Sequence, residues 1–251
     1  MPTPFNHLLA AGDLLPRLDP DLRRALEAEL PAFLLGNIAP DVQTVSGQAR
    51  EATHFFQVPL GGAPPARVVL FGRHPALADP RRLPAAQAAF LAGYLAHLEF
   101  DVLWVQDIFE PVFGPAQTWG TFAERLYLHN ALRAHWDAGD QERLPAGAGP
   151  TLAAAAPRGW LPFVRDADLV AWRDRVAQQL RADGRAHTLE VFAERMGVDV
   201  AAFRRLLSSP AEMEARVFAR VPPERLSRYR ARALAQSAAV LNDYWTGALR
   251  P

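Results

Sequence analysis

The chain has 251 residues, half of them hydrophobic, with 27 basic side chains against 27 acidic ones and no cysteine. That length allows one large domain or two small ones around a sizeable core. The zero net charge argues against a general nucleic-acid binder, and the missing cysteines exclude disulfides and thiolate metal ligands. Any zinc would therefore be held by His, Asp or Glu. All 27 cations are arginine, which with the abundance of Ala and Pro points to GC-rich coding more than to function.

In chain order, helical patterns dominate. Residues 5–15 form a short apolar segment closed by Pro16, and 21–30 read as an amphipathic helix before Pro31 opens another apolar turn. Gly36, Asn37 and Pro40 are expected to break the chain within FLLGNIAPD. Residues 48–57 suit a helix, and ARVVLFG (66–72) suits a short strand or a buried turn. A long central helix is predicted over 84–109 and another over 118–137. The Gly-, Ala- and Pro-rich stretch 138–164 reads as a flexible surface loop. Arg-rich helices follow at 165–183, 188–196, 198–208 and 210–219, and a last one runs from Pro223 to 247.

The fold class is all-α, with no βαβ alternation. A single domain over 1–251 is expected: a core of 1–137, the loop, and a helical C-terminal part from 165. The N-terminal MPTPFNHLLAAGDLL has neither a basic start nor a long apolar run, so no signal peptide is expected. No window offers the roughly 18 uninterrupted apolar residues of a membrane span. A soluble cytoplasmic protein is the expectation, with its oligomeric state left open.

The central helix carries the chemistry. Residues four apart on a helix lie about 40° from each other, so Phe90, Gly93, His97, Asp101 and Trp104 share one apolar stripe. Glu99 points nearly the opposite way. An imidazole and a carboxylate on a buried stripe need partners. They satisfy each other as a simple pair, or they bind a metal, for which both are good ligands. Asp41 after a helix break and His54 in REATHFF add two more donors from separate elements, and His7 on the first apolar segment adds a fifth. Catalytic zinc takes three or four such ligands and leaves a place for water.

The other histidines have plainer expected roles: His129 as a packed or partly exposed helix residue, His135 capping or packing near the end of its helix, His74 as a turn residue, His187 as a solvated one. Arg50, one turn before His54, is a salt-bridge partner or a bidentate clamp for phosphate oxygens. Tyr94 and Trp104 are read as core.

Together, FLLGNIAPD, REATHFF and FLAGYLAHLEFDVLW, preceded by His7, resemble the bacterial zinc-dependent phospholipase C family, whose superfamily includes the fungal single-strand nucleases. The resemblance covers about residues 5–110. It implies an all-helical fold and a zinc cluster that hydrolyses phosphodiesters. By resemblance, Asp41, His54, His97 and Asp101 are the ligands of one zinc; His7 and Asp101 belong to a second, with Asp101 bridging. There are departures. The family's N-terminal Trp, whose amine binds zinc, has no counterpart in MPTPFNH. Ten residues past His97 stands Asp107 instead of His, and His129 lacks the Glu expected four residues later, its nearest carboxylate being Glu124.

A site reduced to one or two zinc ions is thus expected instead of three, with Asp107 and His129 as candidates for any further metal or substrate contact. The expected function is phosphodiester hydrolysis, with Asp41 orienting water or accepting its proton and a small phosphodiester or phospholipid head group as substrate. No stable nucleic-acid binding is expected. The alternative is a metal-stabilised scaffold that has lost catalysis.

Overall fold

The computed structural model describes residues 1–181 and 187–249, and among these no strand occurs. The N-terminal part contains α1 (Pro4–Leu14), α2 (Pro20–Ala28), α3 (Leu30–Ile38), α4 (Gln43–Ser46), α5 (Arg50–His54) and α6 (Ala66–Arg73). The central helix α7 (Ala85–Trp104) continues as a wider-wound segment, Val105–Phe113, that includes Pro111. Then come α8 (Phe122–Arg143), α9 (Ala148–Ala153), α10 (Asp166–Gln179), α11 (Thr188–Met196), α12 (Val200–Leu207), α13 (Pro210–Met213) and α14 (Pro223–Thr246). The end of the helix expected over 165–183 lies outside the described residues.

Helix α7 has no solvated face beyond its first turn, so its sequence is mainly apolar and its His97, Glu99 and Asp101 are buried with the rest. It packs against α3 on one side and α14 on another. By length and composition Ala85–Phe113 would suffice to cross a bilayer, but 94% of its most apolar window is buried inside the fold. The contact with α3 is unusually close. A Cβ on Gly93 would stand 2.2 Å from the Phe33 carbonyl oxygen, and one on Gly36 would stand 1.9 Å from that of Phe90. Only paired glycines allow the two backbones to meet. Gly36 therefore lies inside a helix, and the break predicted there falls later, at the tight turn Ala39–Val42.

Other expectations change for similar reasons. ARVVLFG is helix α6, which buries Ala66, Leu70 and Phe71 against α7. Glu99, turned away from the His97 stripe, is buried as well and so needs partners; it accepts from Arg67 (2.7 Å) and Gln236 (2.9 Å). The 138–164 stretch is not a loose surface loop. Helix α8 runs on to Arg143, α9 follows, and Leu152, Trp160, Leu161 and Val164 enter the core. Gln87 and Gln48 donate to the carbonyls of Trp160 and Phe163, which pins the segment down.

Candidate metal centre

Three elements and one turn bring the five predicted donors together. Helix α1 supplies His7, the Ala39–Val42 turn supplies Asp41, α5 supplies His54, and α7 supplies His97 and Asp101. The turn is held from two sides. The Thr53 hydroxyl donates to the Pro40 carbonyl (2.7 Å), and the buried Trp172 indole of α10 donates to that of Ile38 (2.7 Å). After His54 the chain reverses through Phe55, a non-glycine residue at φ 59°. The left-handed conformation costs roughly 1–2 kcal/mol. It is held by the buried Phe55 ring, which packs edge-on to Phe163 at 5.2 Å.

His7, His54, His97 and Asp101 are each no more than 1% exposed. Both central imidazoles are held in one tautomer by backbone carbonyls. His97 Nδ1 lies 2.8 Å from the Asn37 carbonyl oxygen, and His54 Nδ1 lies 3.3 Å from that of Arg50. A carbonyl only accepts, so each Nδ1 carries a hydrogen, and Nε2 is the ring atom turned toward the cluster. The Gly36–Gly93 contact sets the first of these bonds, because Asn37 follows Gly36 and His97 lies one turn after Gly93.

The two Nε2 atoms face one another at 3.4 Å. Around them, His54 Nε2 is 3.3 Å from Asp101 Oδ2 and 3.6 Å from Asp41 Oδ1, and His97 Nε2 is 3.7 Å from Asp101 Oδ2. Lone pairs and carboxylates at such separations repel unless a proton or a metal ion lies among them. Zinc–nitrogen bonds of about 2.0–2.1 Å arranged tetrahedrally put neighbouring ligand atoms about 3.3–3.4 Å apart, close to what these donors show. On the other side of Asp101, His7 Nε2 and Asp101 Oδ1 are 3.4 Å apart, both buried and both without a hydrogen bond. A polar atom left so costs about 1–3 kcal/mol, and a metal ion would satisfy both.

Two overlapping triads have ligand atoms mutually within 4.8 Å: His7, His97 and Asp101, and Asp41, His54 and His97. An imidazole Nε2 has one lone pair and serves one ion, whereas a carboxylate has two oxygens and can serve two. Asp101 is thus the member able to bridge.

The electrostatics suit a cation. Burial works against charge on His97, but Asp101 and Asp41 outweigh it and raise its pKa. His7 stacks on that ring at 3.8 Å, and burial together with the His97 charge lowers its pKa to about 4. Burial would raise the Asp101 carboxyl, yet the charge of His97 and the imidazoles of His54 and His7 beside it hold it well below the carboxylate range. A cluster that raises the His97 pKa and keeps Asp101 ionised would also favour a metal ion.

Arg50 donates to Asp101 Oδ2 at 2.7 Å and lies 4.5 Å above the Phe56 ring. Asp41 and Arg50, both about one-fifth exposed, open the cluster onto a cavity of about 350 Å³.

Asp107 and His129 do not join the cluster. Asp107 lies in the wider-wound extension of α7 and pairs with Arg232 (2.5 Å). His129 Nε2 accepts from the Trp104 indole (2.9 Å), and its ring packs against Phe109 and Phe113. With that lone pair taken, His129 is a core residue. His135 packs against Phe218 and His74 stacks on Phe163, while His187 is exposed.

Residue types gave no sign of Asn37, whose role is played by its backbone carbonyl. Nor did they show Arg133, Arg175 and Arg195, which line the cavity from α8, α10 and α11. No known family model matches the chain, and no curated protein or solved structure matches it either.

Proposed function

We propose that the chain is a zinc-dependent phosphoesterase acting on a small phosphodiester or a phospholipid head group. One observation carries this reading: His54 and His97, each held by a carbonyl, aim their Nε2 atoms at a shared point beside Asp101, next to a cavity that Asp41 enters. The resemblance of GNIAPD, REATHFF and GYLAHLEFD to the phospholipase C family supports the choice of zinc and of phosphodiesters. When bound, the ion would supply Lewis acidity, drawing charge from phosphoryl oxygens and lowering the pKa of water toward neutrality.

The chain's own residues do the rest. His54, His97 and Asp101 hold the ion, and the Asn37 and Arg50 carbonyls keep the rings in register. Asp41, the carboxylate open to the cavity, orients the attacking water by accepting a hydrogen bond from it. Its pKa lies far below the usual range: burial alone would raise it, and the adjacent His54 imidazole and the His97 charge more than reverse that. It is therefore ionised at neutral pH. Arg50 uses its remaining N–H groups on phosphate oxygens.

The enclosure of His7, His54, His97 and Asp101 favours a second reading, a metal-stabilised scaffold without catalysis. Hydrolysis of bis(p-nitrophenyl) phosphate separates the two. The enzyme reading expects turnover by wild type and a loss of about 10²-fold or more in Asp41→Asn with metal retained. His97→Ala should lose both metal and activity. A metal-loaded wild type with no turnover of nucleotide, phospholipid or generic diesters would leave the scaffold.

A further inference from the structure

Beyond Asp41 and Arg50, the cavity wall carries three arginines, Arg133, Arg175 and Arg195, against one acid, Glu194. Arg133 is fixed in place. It donates to the Met1 carbonyl and to Asn130 Oδ1 (3.0 Å), and its guanidinium lies 4.4 Å over the Phe192 ring. Arg175 and Arg195 are exposed, and neither forms an ion pair among the described residues. Like charges so placed repel. Burial lowers the Arg133 pKa to about 10 and the nearby Arg195 charge adds to this, against the pull of Asp41 and Asp101. In a chain of zero net charge, this is a local concentration of positive potential in a cavity of small-molecule size. Guanidinium groups match phosphate oxygens in pairs.

We propose that Arg133, Arg175 and Arg195 form a subsite for a second phosphate group, so that the substrate is a small phosphoester bearing another phosphate away from the bond that breaks. This rests on the phosphoesterase reading for the role of the centre, and the binding measurement is independent of turnover.

Calorimetric titration of the protein as purified, with thymidine 3′,5′-bisphosphate and thymidine 5′-monophosphate as probes, tests it. The wild type should prefer the bisphosphate by about tenfold. In Arg175→Ala/Arg195→Ala, two exposed positions whose loss leaves the core intact, the preference should fall to about unity. Arg24→Ala, which does not line the cavity, should keep it. Equal affinities in wild type, no binding of either probe, or a preference that survives the double substitution would overturn the subsite. An arginine-dependent preference in a protein that hydrolyses no diester would keep the subsite and remove the phosphoesterase. Turnover of diesters without the preference would do the reverse.

Discussion

Asp137 shows how one buried carboxyl ties the cavity wall to the core. It is 1% exposed; its Oδ2 accepts from the Thr188 hydroxyl at the start of α11, and its Oδ1 is buried without a hydrogen bond. Burial nevertheless dominates and raises its pKa to about 6. The folded state thus binds its proton more tightly than the unfolded chain, where the pKa is about 3.9. The resulting penalty is absent below about pH 4, grows as pH rises toward 6 and is full above it. Two units correspond to about 3 kcal/mol. Asp137→Asn should therefore melt a few degrees above wild type at pH 7.5, and the two should converge near pH 4. A gap that is the same at both pH values would refute this, and scanning calorimetry reads it directly. At this scale the convergence of the five His and Asp side chains was legible because such groups on apolar stripes demand partners. The groups that orient them were not, since the Asn37 and Arg50 carbonyls would be present with any side chain. His129 and Asp107 carried the right atoms, but their lone pair and charge are committed to Trp104 and Arg232.

Among the elements, the α3–α7 crossing controls the centre most directly. Gly93→Ala places a methyl group 2.2 Å from the Phe33 oxygen and 2.8 Å from the Asn37 nitrogen, both backbone atoms that cannot rotate away. The helices must part, at a cost of about 1–3 kcal/mol. The Asn37 carbonyl then leaves His97 Nδ1, and loss of such a partner weakens metal binding by about 10–100-fold. Gly12→Ala, in α1 with no atom within 4 Å of the new methyl, should instead stabilise by up to about 1 kcal/mol. Urea denaturation with a zinc-competition titration measures both effects, and equal behaviour of the two variants would contradict this role for the crossing. Periodicity located most of the helices, because their apolar faces repeat at 3.6 residues. It failed at Gly36, where a residue that usually breaks helices serves as a contact surface. It also left ARVVLFG ambiguous, since seven residues are too few to separate a buried helix from a strand.

Over the whole molecule, the C-terminal half completes what the N-terminal half begins. Trp172 holds the Asp41 turn, Tyr229 donates to the Phe100 carbonyl (3.1 Å), and the 138–164 segment fills the core beside Phe90. Composition alone could not show this, because Gly, Ala and Pro suit a surface loop and a tightly packed crossing equally well. All of it positions five donors that a metal ion could share. The decisive measurement is the elemental content of untagged protein by plasma mass spectrometry, with His97→Ala as reference. We predict close to one or more zinc ions per chain in wild type and a marked loss in the variant. Wild-type protein that is folded, monodisperse and free of metal would contradict it.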